Sequence, residues 1–347
     1  MMNPDIAAAY PRVPGYLDTA TYGLPARATI AALKRAADAW AAAATDIPAA
    51  DHAVDRMRAA YATLVGARAC DVTLAGSVSQ VVGMVAASLP TGARVLAVRG
   101  DFSSVLFPFI ADPRLDVTFV SLDELVEAVV PGIDLVAVSA VQSADGRVAD
   151  LTGLAMAARI AGAHTLVDAS HAAGWLPLHS RNFDVVVAAS YKWLTAPRGI
   201  ALAAIHPDAT WIRPVNASWY GADEPWGALY GPPFQASFTA RRFDTSPPWQ
   251  IVEAGAVAME ILARQDVRTT YAYVVGLANH LRDGLGLAPS TSAIVSVPDV
   301  DPRDLAAAGV RASARSGRAR LGFYVYNDED DALAALRALR GRVRQAA

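Results

Sequence analysis

The stretch Thr165-Leu-Val-Asp168-Ala-Ser-His171-Ala-Ala-Gly174, with Phe183-Asp-Val-Val-Val-Ala-Ala-Ser190-Tyr191-Lys192-Trp-Leu-Thr-Ala-Pro-Arg-Gly199 after it, decides how the whole chain is read. Two short β-branched runs, Thr165–Val167 and Val185–Ala188, each end in polar side chains: a carboxylate after the first, then a hydroxyl, a phenol and an amine after the second. Runs that are apolar at nearly every position fit strands covered on both faces, as in a parallel sheet between helices. Outward from here the same texture recurs at Arg94–Val98, Val117–Val120, Leu135–Val138 and Ile200–Ile205, with helix-periodic stretches such as Gln80–Leu89 and Leu151–Ala161 between them. The expected body is an α/β domain with a mostly parallel central sheet flanked by helices.

Upstream, Ala26–Thr45 and Asp51–Val65 read as amphipathic helices. Downstream, Trp211–Trp249 is rich in Gly, Pro and aromatics and reads as a long structured loop packed on the body. One helical pattern then runs from Trp249 towards Leu285. The tail reads as strand Ala293–Val297, helix Pro302–Ala308, strands Val310–Ala312 and Ala319–Val325, and a final helix Glu329–Val343. The expected division is a segment 1–25 joining a small domain, a large α/β domain over 26–250, and a linking helix with a smaller α+β C-terminal domain over 251–347.

The 347 residues are 54% hydrophobic and 18% charged, which excludes a disordered or collagen-like chain. No apolar run approaches the roughly 18 residues of a spanning helix, so no membrane association is expected. Met1–Pro14 carries Asp5 and Arg12 and no apolar core, so no signal peptide is expected. A net charge of −3 without a basic stretch argues against nucleic acid as a partner. One cysteine, Cys70, excludes an internal disulfide framework and a cysteine-rich metal site. No metal is expected, the expected compartment is a reducing cytoplasm, and Cys70 itself reads as a buried structural thiol.

Lysine is the informative residue. Of 30 basic side chains only Lys34 and Lys192 are lysines. A chain that uses arginine almost everywhere keeps lysine where a permanently protonated guanidinium cannot serve, above all as an amine nucleophile. Lys34 lies in an alanine-rich helical stretch and reads as part of a solvated face. Lys192 follows a strand end and requires a reason. In open parallel sheets, ligands sit beyond the carboxyl ends of strands. Asp168 and Lys192 occupy two such ends, and Leu74-Ala-Gly-Ser77-Val78-Ser79 enters a helix at a third. Alone, Gly-Ser-x-Ser is an ordinary helix cap. Combined, the three match pyridoxal 5'-phosphate, which needs a lysine for its Schiff base, a carboxylate to keep its ring nitrogen protonated, and a hydroxyl-lined helix N-terminus for its phosphate.

These motifs resemble the lysine region of the fold-type I, class V aminotransferase family, the group of cysteine desulfurases, isopenicillin N epimerases and kynureninases. Tyr16-Leu-Asp-Thr-Ala20 and Arg320-Leu-Gly-Phe-Tyr-Val-Tyr-Asn327 resemble the family's terminal segments. The resemblance implies the fold-type I architecture and a role for each matching position. Lys192 carries the Schiff base and shuttles the α-proton, Asp168 pairs with the ring nitrogen, and His171 stands near the phenolic oxygen. Ser77, Val78, Ser190 and Tyr191 hold the phosphate. Phe102 stacks on the ring, Ser143 stands where relatives place an asparagine reaching the phenolic oxygen, and Arg320 binds the substrate's α-carboxylate. It also implies a homodimer acting on an amino acid, its site completed at the interface in part by Trp211–Trp249.

Two departures narrow the reading. The interval before Arg320 lacks the cysteine that desulfurases use to accept sulfur, and Asp244-Thr-Ser-Pro-Pro248 replaces the Gly-Thr that relatives lend to the partner's phosphate. The reaction favoured is β-elimination from a cysteine conjugate. Epimerisation, transamination and kynureninase-like hydrolysis are the alternatives, and a non-catalytic cofactor-binding protein is the last.

Overall fold

Val185-Val-Val-Ala-Ala189 is buried at all five positions, and its two faces belong to different cores. Val186 and Ala188 share one core with Met57, Tyr61 and Met259. Val185, Val187 and Ala189 share the other with Val81, Val85 and Leu106. This is the alternation of a strand between two helical layers.

The computed structural model describes residues 3–340. The first part of the chain forms α1 (Pro4–Ala9), α2 (Arg27–Ala41) and α3 (Ile47–Val65). Then follow β1 (Val72–Ala75), α4 (Val78–Ser88), β2 (Arg94–Val98), α5 (Ser103–Ile110), β3 (Asp116–Val120), β4 (Leu135–Ser139), α6 (Leu151–Ala161), β5 (His164–Asp168), β6 (Val185–Ala189) and β7 (Ala201–Ile205). The remainder comprises α7 (Trp249–Ala263), α8 (Val267–Gly284), β8 (Ile294–Pro298), α9 (Pro302–Ala307), β9 (Ser313–Arg315), β10 (Arg318–Gly322) and α10 (Glu329–Leu339).

Seven strands form one sheet in the order β1-β7-β6-β5-β4-β2-β3. The run from β6 to β3 is parallel, while β7 lies antiparallel to both β6 and β1. The carboxyl ends of β1, β2, β4, β5 and β6 therefore share one edge of the sheet, together with the start of β7. A second, three-stranded antiparallel sheet has the order β8-β10-β9. Its core, with Leu321 and Phe323, also takes in Leu17 from the N-terminal segment and Leu277 of α8.

Capping sets the helix starts: Asp46 accepts from the Ala49 amide, Asp150 from Gly153, and Asp328 forms a reciprocal box with Asp331. Capping also corrects the sequence reading. The single helix expected over 249–285 is two, because the Asp266 side chain accepts from the Arg268 amide and starts α8 afresh. No strand forms at Val310–Ala312. Arg311 makes one isolated bridge to Tyr16, and the strand begins at Ser313. The strand expected over 319–325 ends at Gly322, because Asn327 Oδ1 accepts from the Tyr324 amide and folds the chain into a turn. The final helix is described to Leu339, and residues 341–343 of its expected span lie outside the described residues.

Candidate active site

Four strand ends converge on an open cleft of about 680 Å³, its solvent-filled mouth included. Lys192, Asp168 and Phe102 line it, with Ser77 and Val78 at the α4 entry. The loop carrying Lys192 is held from the N-terminal segment. The Gly23 amide donates to the Tyr191 carbonyl at 2.9 Å. A Cβ at residue 23 would lie 1.9 Å from the Lys192 carbonyl oxygen, so only glycine fits there.

Lys192 Nζ is buried, 2.9 Å from His171 Nε2 and 5.0 Å from the centroid of Phe102. Burial lowers its pKa to about 8, and the Arg320 and Arg315 charges act in the same sense while Asp168 opposes them. Two tryptophans hold His171: the Trp193 indole donates to Nδ1 at 3.3 Å, and the Trp175 indole to the backbone carbonyl at 2.7 Å. Burial, then Lys192, pushes the His171 pKa well below its usual value. Asp168 ends β5, accepts from the Ser170 amide at 2.7 Å, and forms no ion pair among the described residues. Its burial raises its pKa.

At the α4 entry, the Ser77 hydroxyl caps the Gln80 amide at 3.2 Å, which leaves the Val78 and Ser79 amides directed beyond the helix end. Tyr191 lies between the Tyr22 ring, 5.3 Å away, and the Arg198 guanidinium, 4.8 Å away. Ser190 departs from expectation. It is fully buried, and its hydroxyl donates to the Pro197 carbonyl at 2.6 Å instead of facing the cleft. Ser143 departs as well, because its carbonyl and hydroxyl accept from Arg320 Nη1 at 2.6 and 3.1 Å.

Arg320 lies on β10, is only 1% exposed, and also donates to Ser313 Oγ and Thr21 Oγ1. It forms no ion pair among the described residues. Burial, with Arg315 beside it, lowers its pKa to about 10. An almost wholly buried guanidinium without a counter-charge is a place for an anion.

Sequence reasoning missed several supports. Asp101, at the end of β2, accepts from the Phe102 amide at 2.6 Å and from the Ser139 amide and Gln142, so it fixes the ring that faces Lys192. It is a carboxylate beyond a strand end, and the rule that singled out Asp168 also applies to it. Arg198 lines the cleft with no local signal to mark it. Asp244 is wholly buried, paired with Arg58 and bonded to the Thr73 hydroxyl and the Leu74 amide. It anchors its segment to β1 and does not face a ligand. Cys70 corrects another expectation: it is exposed, because the 3₁₀ turn Ala69–Asp71 directs Asp71 inward and Cys70 outward. Lys34 is exposed on α2. Among the described residues no three His, Cys, Asp or Glu side chains are grouped to hold a metal, and no helix is long and apolar enough to cross a membrane.

The residues present fit pyridoxal 5'-phosphate. A buried amine of lowered pKa, a buried carboxylate without a cation of its own, and free amides at a helix start stand around one cleft. Residues 112–307 match the family model for aminotransferase class-V. An uncharacterized aminotransferase, YcbU, of Bacillus subtilis (strain 168) is 28% identical over 255 residues, 67% of this chain and 66% of that protein, just under two thirds of its length. The cysteine desulfurase CsdA of Escherichia coli superposes with a TM-score of 0.82 at 19% identity, over 100% of this chain and 99% of CsdA. The cystine C–S lyase C-DES, in complex with its product cysteine persulfide, gives 0.83 at 18% identity, over 94% and 97%. Both likenesses are of fold. The chain belongs to the class-V aminotransferase family, and its cofactor is pyridoxal 5'-phosphate.

Proposed function

We propose that this enzyme is a C–S lyase that removes the sulfur substituent from a cysteine conjugate. Overall, the conjugate and water give a thiol, pyruvate and ammonium: the Cα–H and Cβ–S bonds break, and the sulfur leaves as a thiolate that takes up a proton. The cofactor, when bound, supplies a protonated ring that draws electron density from the substrate's α-carbon.

The chain's own residues then have separate tasks. Lys192 holds the cofactor covalently and moves the α-proton at Nζ. Asp168 keeps the ring nitrogen protonated through an opposite charge in a buried setting. His171 orients Lys192 Nζ. Ser77, the Val78 amide and Tyr191 hold the phosphate, Phe102 covers one face of the ring, and Arg320 binds the α-carboxylate through the N–H that Ser143, Ser313 and Thr21 leave free. Ser143 positions Arg320.

The observation that carries the choice of reaction is the place of the chain's one cysteine. Cys70 precedes β1, whereas the cleft lies beyond the other end of that strand. No thiol stands where it could take sulfur from a substrate, so the sulfur leaves with its substituent. Incubating the holoenzyme with S-ethyl-L-cysteine should give pyruvate and ethanethiol in equal amounts, and Cys70→Ser should match wild type. Sulfur retained on the protein, or loss of turnover in Cys70→Ser, would overturn the reading. Transamination is the second reading, favoured by the match to an aminotransferase, and its mark is a keto acid formed only when an amino acceptor is supplied.

We read the enzyme as a homodimer of a reducing, cytoplasmic compartment. Exposed aromatics in the segment between β7 and α7, with Tyr230 92% and Phe238 83% exposed, support a second copy as their cover.

A further inference from the structure

Beside the small sheet, two arginines outside the cleft of Lys192 share an open groove of about 830 Å³, its solvent-filled mouth included. Arg282 of α8 is only 6% exposed. Its Nη1 donates to Asn279 Oδ1 and the Ser292 carbonyl, both at 2.9 Å, and its Nη2 to the Ile294 carbonyl. Arg318 of β10 donates through Nε to Ser296 Oγ at 2.8 Å and through Nη2 to the Ser296 carbonyl at 3.2 Å. Among the described residues neither arginine forms an ion pair. Burial lowers the Arg282 pKa to about 10, with no nearby acid to oppose it. Nε–H and one Nη2–H of Arg282, and both Nη1 hydrogens of Arg318, have no acceptor among the described residues. Ser290 and Ser296 line the same groove. Their hydroxyls already accept, from the Ser292 amide and from Arg318, and each keeps its hydrogen to donate. Asp145, the acid on the groove wall, is turned to Arg147, accepting from its amide at 3.0 Å and facing its guanidinium at 3.6 Å.

We infer that this groove binds a phosphate group between Arg282 and Arg318, with the Ser290 and Ser296 hydroxyls donating to it. The carbonyls that anchor the two guanidiniums, Ile294 and Ser296, stand two residues apart on the edge strand β8, about 7 Å along it. That spacing sets the arginines on either side of one small anion. The unpaired groups facing the groove are donors, so its ligand is one that supplies acceptors and negative charge. A phosphate monoester brings three strong acceptor oxygens and about two charges near pH 7. Leu287 and Ala288 add apolar surface beside the donors, against which the rest of a small monoester would lie. No residue lining this groove lines the cleft of Lys192, and the inference is independent of the reaction proposed above.

The test titrates the holoenzyme by calorimetry with inorganic phosphate and, separately, with glycerol 3-phosphate, in about 150 mM sodium chloride to screen surface charge. Each wild-type chain should bind one equivalent of at least one of the two. Arg318→Gln should weaken that binding about ten- to a hundredfold, the range of one charge-assisted hydrogen bond. Arg282→Gln should weaken it as much. If that variant does not fold, because it gives up bonds that tie α8 to β8, Arg318→Gln decides alone. Arg320→Lys should leave phosphate affinity within about twofold, since Arg320 serves the other cleft. No saturable binding by wild type, or affinity unchanged in Arg318→Gln, would overturn the assignment. Weakening by Arg320→Lys alone would place the phosphate in the substrate cleft and overturn it as well. Glycerol 3-phosphate bound at least as tightly as inorganic phosphate upholds the site as one for a monoester, and binding of inorganic phosphate alone upholds it as one for the free ion.

Discussion

The indole N–H of Trp193 donates to Nδ1 of His171 across 3.3 Å, and this bond determines how His171 meets Lys192. An indole nitrogen only donates, so Nδ1 is the acceptor and the neutral imidazole carries its proton on Nε2. That proton points at Lys192 Nζ, 2.9 Å away, which accepts it only as a neutral amine. The lowered pKa of Lys192, about 8, agrees with this polarity. Apoenzyme should therefore take up its cofactor covalently at a rate that rises with pH around 8, since the neutral amine is the nucleophile and its fraction grows above its pKa. In Trp193→Phe the imidazole is free to carry its proton on Nδ1 and accept from a charged Lys192, so the midpoint should move upward. A stopped-flow profile of uptake against pH checks both, and an unmoved midpoint in the variant would disprove the tautomer argument.

Reduction of the holoenzyme with borohydride, followed by peptide mapping, should label Lys192. The exposed Lys34 is the internal control. Lys192→Arg should bind cofactor without a covalent link and lose turnover, because a guanidinium that stays protonated does not form an imine. Label on Lys34 instead would place the chemistry elsewhere.

Asp168→Asn should keep a folded cleft, since an amide is nearly isosteric, yet lose most activity. Removing a close charge partner shifts the partner's pKa by one to three units, about 1.4–4 kcal/mol of lost stabilisation of the protonated ring. Near-native turnover with the true substrate would refute the pairing.

Arg320→Lys should weaken amino-acid binding by about 1.5–3 kcal/mol, the range for a hydrogen bond to a charged group. The spectrum of the bound cofactor without substrate should stay as in wild type. Spectral titration of Arg320→Lys beside Arg318→Lys tells the two apart, because Arg318 is turned to Ser296. Loss confined to Arg318→Lys would move the carboxylate site there.

Asp244→Ala should destabilise the fold by about 3–5 kcal/mol by leaving the buried Arg58 guanidinium without its counter-charge. Replacing both together, as Arg58→Met with Asp244→Leu, should lose less than Asp244→Ala alone. Denaturant midpoints of the two variants decide it, and an equal or larger loss in the double variant would show that the pair acts through something other than charge.

The sheet and the lysine proposed to hold the cofactor were legible from sequence because their signals are local. Five-residue apolar runs mark strands buried on both faces, and the residue after each run falls at the sheet edge where ligands bind, as Asp168 and Ser190-Tyr191-Lys192 do. The scarcity of lysine singled out Lys192 within that set. Side-chain direction in the turns was not legible. Ser190 turns to Pro197 within its own loop and Cys70 turns out to solvent at its 3₁₀ turn, while Ser143 turns to Arg320 from a segment distant in the chain. Arg320 meets Ser143 and Thr21 across separations of 177 and 299 residues. The break before α8 rests on a single Asp266 cap inside a continuous apolar period. Periodicity and composition report which backbone a segment adopts and which face it buries. Which polar groups then meet inside the cleft depends on closing loops hundreds of residues long around one core, and only the tertiary structure decides that.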